Sequence, residues 1–69
     1  MPLNMADLNV EFLIKKIGGK EEVRRFLENL GFVCGARISV VSKNCGNVIV
    51  QIKDSRVAVS REMAQKIIV

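Results

Sequence analysis

The stretch "ENLGFVCGARISVVS", residues 28–42, decides how this chain folds. A charged segment with helical character stops at Gly31. A short apolar step follows and carries a second glycine, Gly35. A β-branched run then begins at Ile38. Gly31 stands where a left-handed residue ends a helix, a position glycine fills without steric cost because it has no Cβ. The run "ARISVVS", residues 36–42, has the composition of a strand. The chain is therefore expected to pass from helix to strand across one tight, glycine-held turn.

Working outward toward the N-terminus, "KEEVRRFLENLG", residues 20–31, places Val23, Phe26, Leu27 and Leu30 at i, i+3, i+4 and i+7. That spacing predicts a helix with this stripe turned inward. Glu21 with Arg25, and Arg24 with Glu28, are spaced for surface pairs. Before it, "VEFLIKKI", residues 10–17, alternates Val10, Phe12 and Ile14 with Glu11, Leu13 and Lys15. Such a period of two predicts one half-buried strand, ended by Gly18 and Gly19.

Toward the C-terminus, "KNCGN", residues 43–47, is turn chemistry leading into "NVIVQIK", residues 47–53, with Val48, Val50 and Ile52 on one face. "KDS" is a second turn, in which Asp54 can accept a left-handed backbone. "RVAVS" presents Val57 and Val59 together, and Ser60 is placed to cap a short helix, "REMAQK", that carries Met63. "IIV" closes the pattern as a short strand. The order β, α, β, β, β, short α, β predicts a mostly β fold. We expect a small barrel of about five strands, with one helix after the first strand and a short C-terminal helix. With 69 residues, it forms a single domain spanning 1–69.

Composition narrows the chemistry. The chain is 49% hydrophobic and 26% charged, an ordinary globular balance. Its three aromatics are Phe12, Phe26 and Phe32, so the core must come from Val, Ile and Leu. There is no histidine, which removes the commonest general base, the commonest metal ligand and every Ser-His or Cys-His pair. No phosphate-loop pattern is present. Cys34 and Cys45 supply two thiols where a closed zinc site needs four ligands. They read as free cysteines, Cys34 packing as a small hydrophobe and Cys45 riding in a turn. No catalytic, cofactor or metal residue is assigned. The charge of +4 is mildly basic, but the eleven Lys and Arg are dispersed and stacking aromatics are scarce. Nucleic-acid binding is thus weakly supported. No secretory signal and no membrane-spanning run is recognisable, so a cytoplasmic location is expected.

"FLENLGFVCGARISVVS" closely resembles the helix-turn-strand signature of FeoA-family proteins, in which an LGF-x-x-G-x-x-[IV]-x-V pattern follows the first helix. "GNVIVQIKDSRVAVSREMAQKIIV" is similar to the family's closing pattern, and "MPLNMADL" to its short opening segment. The ordered set covers almost the whole chain. It departs at Cys34, where many members carry proline, and at Asp54, where many carry glycine; both touch turn stability. The resemblance implies an SH3-like barrel and a non-enzymatic role in ferrous iron uptake beside FeoB, a membrane Fe(II) transporter with a cytosolic GTPase domain. The same domain type occurs as a C-terminal module of metal-responsive DtxR-like repressors, which leaves a regulatory or nucleic-acid-binding module as the alternative.

For the transporter reading, the expected contact is the "GFVCG" turn: Gly31 and Gly35 would hold Phe32 and Val33 on a fixed backbone, with Arg24, Arg25 and Arg37 steering an acidic partner. Phe32 could equally be barrel core. Leu13, Val33, Val41, Ile49 and Ile68 fall opposite the presumed core and could form an exposed apolar face. Self-association stays open as well.

Overall fold

The computed structural model describes residues 1–69. A 3-10 turn at Leu3–Met5 precedes β1 (Glu11–Leu13), β2 (Lys16–Ile17), α1 (Glu21–Asn29), β3 (Arg37–Asn44), β4 (Asn47–Ile52), β5 (Ser55–Ser60), α2 (Arg61–Ala64) and β6 (Ile67–Ile68). β1, β3, β4 and β5 form one antiparallel sheet in that order, and β2 pairs with β6 in a second. The fold is mostly β, as its alternating segments require. The four-stranded sheet does not close on itself: β1 and β5 are its edges.

The predicted first strand is divided. Ile14 N–H donates to Ala36 O in the large sheet, and the next residue, Lys15, donates to Ile68 O in the small one. The chain therefore turns a corner between sheets at 14–15. The buried phase changes with it: Ile14 is buried before the corner and Ile17 after it, three positions on. Val10, read as the start of the strand, is exposed, because the segment does not enter the sheet until Glu11.

The β3–β4–β5 meander follows its alternation closely. Ile38 pairs with Ile52, Val40 with Val50, Val48 with Val59 and Val50 with Val57. All but the half-buried Val57 are buried. Between Val40 and Ser42 the register shifts, so Val41 is an extra residue that bends the strand. The left-handed residue of the β4–β5 turn is Lys53, with φ of +52°, rather than Asp54. A two-residue hairpin loop fits the strand twist best with positive φ at its first position, and Lys53 is that position.

Leu3, Ala6, Ala64, Ile67 and Val69 complete the core from the two ends of the chain. Val69 N–H donates to Met1 O at 2.8 Å, which joins these segments. Ser60 caps α2: its Oγ accepts from Met63 N–H at 3.2 Å. The helix stripe is only partly inward. Leu27 is fully buried and Val23 half-buried, while Phe26 and Leu30 are 52% and 38% exposed. At about 100° per residue, the four span roughly 100° of the helix circumference. A sheet this small covers the Val23–Leu27 side and leaves Phe26 and Leu30 at the open margin.

Candidate docking surface

The helix-to-strand turn is built from backbone hydrogen bonds. Phe32 N–H donates to Leu27 O at 3.0 Å and Gly31 N–H to Glu28 O at 2.9 Å. These two bonds define a Schellman ending, with Gly31 at φ of +104°. Leu27 and Phe32, the pair this ending brings together, are both fully buried. A second turn follows at once. Ala36 N–H donates to Val33 O, and Gly35 has φ of +86°. Positive φ at the third position is the type II pattern, and Cys34 occupies the second position, where proline is often found. Gly35 N–H reaches Ile14 O at 2.8 Å, and Cys34 Sγ donates to Lys15 O at 3.4 Å. The double turn is thereby stitched to the corner where the first strand changes sheets.

This geometry corrects the expected contact in two respects. Phe32 has no exposed surface and cannot present itself to a partner. It is the largest fully buried side chain of the core. Cys34 is exposed rather than packed, and Cys45 is exposed as well; neither is in a disulfide. Val33 is 41% exposed. It lines a surface groove with Lys15, Lys16, Ile17, Arg24, Glu28 and Cys34. Of the three arginines, only Arg24 shares this groove. Arg25 is turned to Glu21 at 2.8 Å one helical turn away, and Arg37 lies 3.8 Å from Glu11 beside a separate depression.

The sequence reading missed two apolar residues that stand exposed, Phe26 and Leu30. They are neighbours at i, i+4 at the end of α1. Leu13, at the β1 edge, is 56% exposed. Of the five apolar residues expected outside the core, Leu13 and Val33 are exposed, while Val41, Ile49 and Ile68 are half-buried. The missed signal lay in the width of the helix stripe: four apolar positions over α1 and its C-cap residue Leu30 are more than one small sheet covers. Lys15 and Lys16 enter the groove because the corner turns them toward α1, which no linear pattern announces.

No helix is long and apolar enough to cross a membrane. No group of three or more His, Cys, Asp and Glu side chains is gathered into a metal-binding arrangement.

Comparison with known proteins agrees with this architecture. A Methanocaldococcus jannaschii protein assigned as Fe(2+) transport protein A is 32% identical over 68 residues, covering 99% of this chain and 83% of its own. A Stenotrophomonas maltophilia FeoA solved with zinc, described as an SH3 domain protein, superposes with a TM-score of 0.85 over 99% of this chain and 87% of its own, at 23% identity. A manganese-dependent transcriptional repressor shares the fold with a TM-score of 0.89 at 18% identity, and this chain matches 39% of that longer protein. The FeoA domain model matches residues 1–69, the same span over which the double turn, the meander and the closing helix were traced. The chain belongs to the FeoA domain family.

Proposed function

We propose that this protein is a non-enzymatic accessory component of ferrous iron uptake that acts in the cytoplasm by docking on the cytosolic region of a FeoB-like transporter. Family membership supports the iron-uptake role. The observation that carries the surface is Val33, an exposed apolar side chain at the end of α1 on a backbone held by the Schellman ending and the adjoining type II turn. Side chains on a fixed backbone lose little freedom on binding, so they make effective anchors. Lys15, Lys16 and Arg24 flank Val33 in its groove against a single acid, Glu28, which favours an acidic partner and a salt-sensitive association rate. Gly31 and Gly35 contribute by holding the turn; Phe32 contributes from inside, as the group that anchors the turn to the core.

The test is pull-down and titration calorimetry with the soluble cytosolic part of the FeoB-like transporter from the same source. Val33→Asp and Arg24→Glu are each expected to weaken binding at least about tenfold, or about 1.4 kcal/mol, with unchanged circular dichroism. Stable variants that bind like the wild type would refute this surface. A wild-type protein that binds no such transporter would refute the docking role itself. The likeness to a transcriptional repressor supports a second reading, a regulatory module of that kind. It predicts measurable, salt-dependent DNA affinity or association with a repressor's DNA-binding portion instead.

A further inference from the structure

The four-stranded sheet has two free edges, and they are not alike. β1 offers three residues, one of them Glu11, whose carboxylate lies 3.8 Å from Arg37. β5 offers six, "SRVAVS", with no proline, no acid and no bulge in its pairing with β4. Edge strands are commonly blunted by shortness, charge, proline or a bulge, and an edge left bare is a template for another strand. The one charge on β5 is drawn back from the edge: Arg56 Nε donates to Gln51 Oε1 on β4 at 3.1 Å. Two observations fix which backbone groups face outward. Arg61 N–H donates to Gly46 O at 2.8 Å, and the loop between the paired residues Ile52 and Ser55 has two residues. Bonded positions alternate along an antiparallel pair. Ser55, Val57 and Val59 therefore turn their N–H and C=O groups to β4, while Arg56, Ala58 and Ser60 turn theirs away. No other segment hydrogen-bonds the backbone of Arg56 or Ala58.

Nothing in this chain covers that edge. α2 follows at once but folds inward, with Ala64 fully buried, and Arg56, Ala58 and Ser60 are all exposed. The strand is also complementary to itself. Laid antiparallel on β5 of a second copy with Ala58 at the two-fold axis, each outward residue meets an outward residue: Arg56 meets Ser60, and Ala58 meets Ala58. A shift of one residue would set outward groups against inward ones, and a shift of two would leave fewer bonded pairs within the strand. The axis falls on a methyl group, small enough to face its own copy. The two Arg56 side chains would lie four positions apart, about 13 Å along the strand, beyond the screening length of about 8 Å at physiological ionic strength. On the core face, Val57 would meet Val59 of the second copy. Val57 is only half-buried in the monomer, so this contact would complete its cover.

We propose that β5 pairs antiparallel with β5 of a second copy of this chain, about a two-fold axis at Ala58, and so joins two four-stranded sheets into one of eight strands. One pair of six-residue strands covers less surface than the roughly 1,200 Å² at which stable specific interfaces begin. The dimer is therefore expected to be weak and concentration-dependent. The edge shares no residue with the groove at Val33, so the dimer stands or falls independently of transporter docking.

The experiment is sedimentation equilibrium of the full chain across the micromolar to millimolar range, with a reductant present so that the exposed Cys34 and Cys45 cannot crosslink copies. A monomer–dimer equilibrium is expected. Proton–nitrogen NMR over the same range should show shifts and slowed amide exchange centred on Arg56, Ala58 and Ser60. Ala58→Glu and Ala58→Lys would each set like charges against one another at the axis, and each is expected to weaken self-association several-fold with unchanged circular dichroism. Mixed in equal amounts, the two variants would set Glu against Lys, and association is expected to return. Only an axis at residue 58 predicts that rescue. The proposal is overturned by a chain that stays monomeric throughout, by shifts centred on α1 or on the Lys15–Arg24 groove, by charged variants that associate as the wild type does, or by a mixture that associates no better than its components. The wild-type titration and its shift map decide the matter even if a variant misfolds.

Discussion

Two tight turns in this protein use the same ingredients to opposite ends. The helix-end turn, "GFVCG", and the β3–β4 turn, within "NCGN", each contain a cysteine and glycine at positive φ. The first is anchored in the fold: Phe32 is fully buried, Leu27 is buried beside it, and Gly35 N–H bonds to Ile14 O at the corner of another strand. The second is exposed from Lys43 through Asn47, and a Cβ on Gly46 would meet nothing within 4 Å. The difference lies in what each turn connects. A helix crossing onto a sheet must bury its end, and the Schellman ending supplies an apolar pair to do so. A hairpin between paired strands is already held by register, and its tip is free to face solvent.

The strongest way to break this contrast is Phe32→Ala. Loss of a buried phenylalanine costs about 3–5 kcal/mol, which for a domain of this size is a large share of total stability. Urea unfolding is expected to show it; a loss under about 1 kcal/mol would mean that the helix-end turn is not anchored in the core. Leu27→Ala should follow, with a loss of about 2–5 kcal/mol by the same measurement. A change within about 0.5 kcal/mol would put the helix in a different phase.

A finer comparison pairs Gly31→Ala with Gly46→Ala. Both positions require positive φ, which costs a residue with a Cβ about 1–2 kcal/mol. At Gly31, with φ of +104°, the backbone is clamped by bonds to Glu28 and Leu27, so the full cost is expected. At Gly46 the tip is exposed and can relax, so a smaller loss is expected. Thermal melts of the two variants should differ by a few degrees, since about 1 kcal/mol corresponds to about 4–8 °C in domains of this size. Equal losses would show that the two turns are clamped alike. The smallest effect belongs to Val33→Asp, whose side chain is 41% exposed. Its melting temperature should stay within a few degrees of wild type, while transporter binding falls. A collapse in stability would make Val33 part of the anchored half of its own turn.

Much of the fold was legible in linear pattern. The β3–β5 meander could be read because alternation of Val and Ile is a local property, and each strand's neighbour in sequence is also its neighbour in the sheet. Gly31 could be read because helix termination is decided within one turn of chain. The Ser60 cap was legible for the same reason. The candidate site was legible in part. Val33 and Arg24 do share a groove, whereas Phe32 turned inward and Arg25 and Arg37 engaged acids elsewhere.

What the sequence by itself determined, then, is which segments become helix, strand and turn, and that no histidine-based chemistry is available. The tertiary structure alone decided where the first strand breaks, because the switch from Ala36 to Ile68 as hydrogen-bond partner depends on a strand fifty residues away. It alone decided that Leu3 and Ala6 are core, since β6 and α2 must fold back to cover them. And it decided which of the four apolar residues on α1 face water. Periodicity sets the direction of a side chain relative to its own helix. Only the size and placement of the opposing sheet sets whether anything is there to meet it.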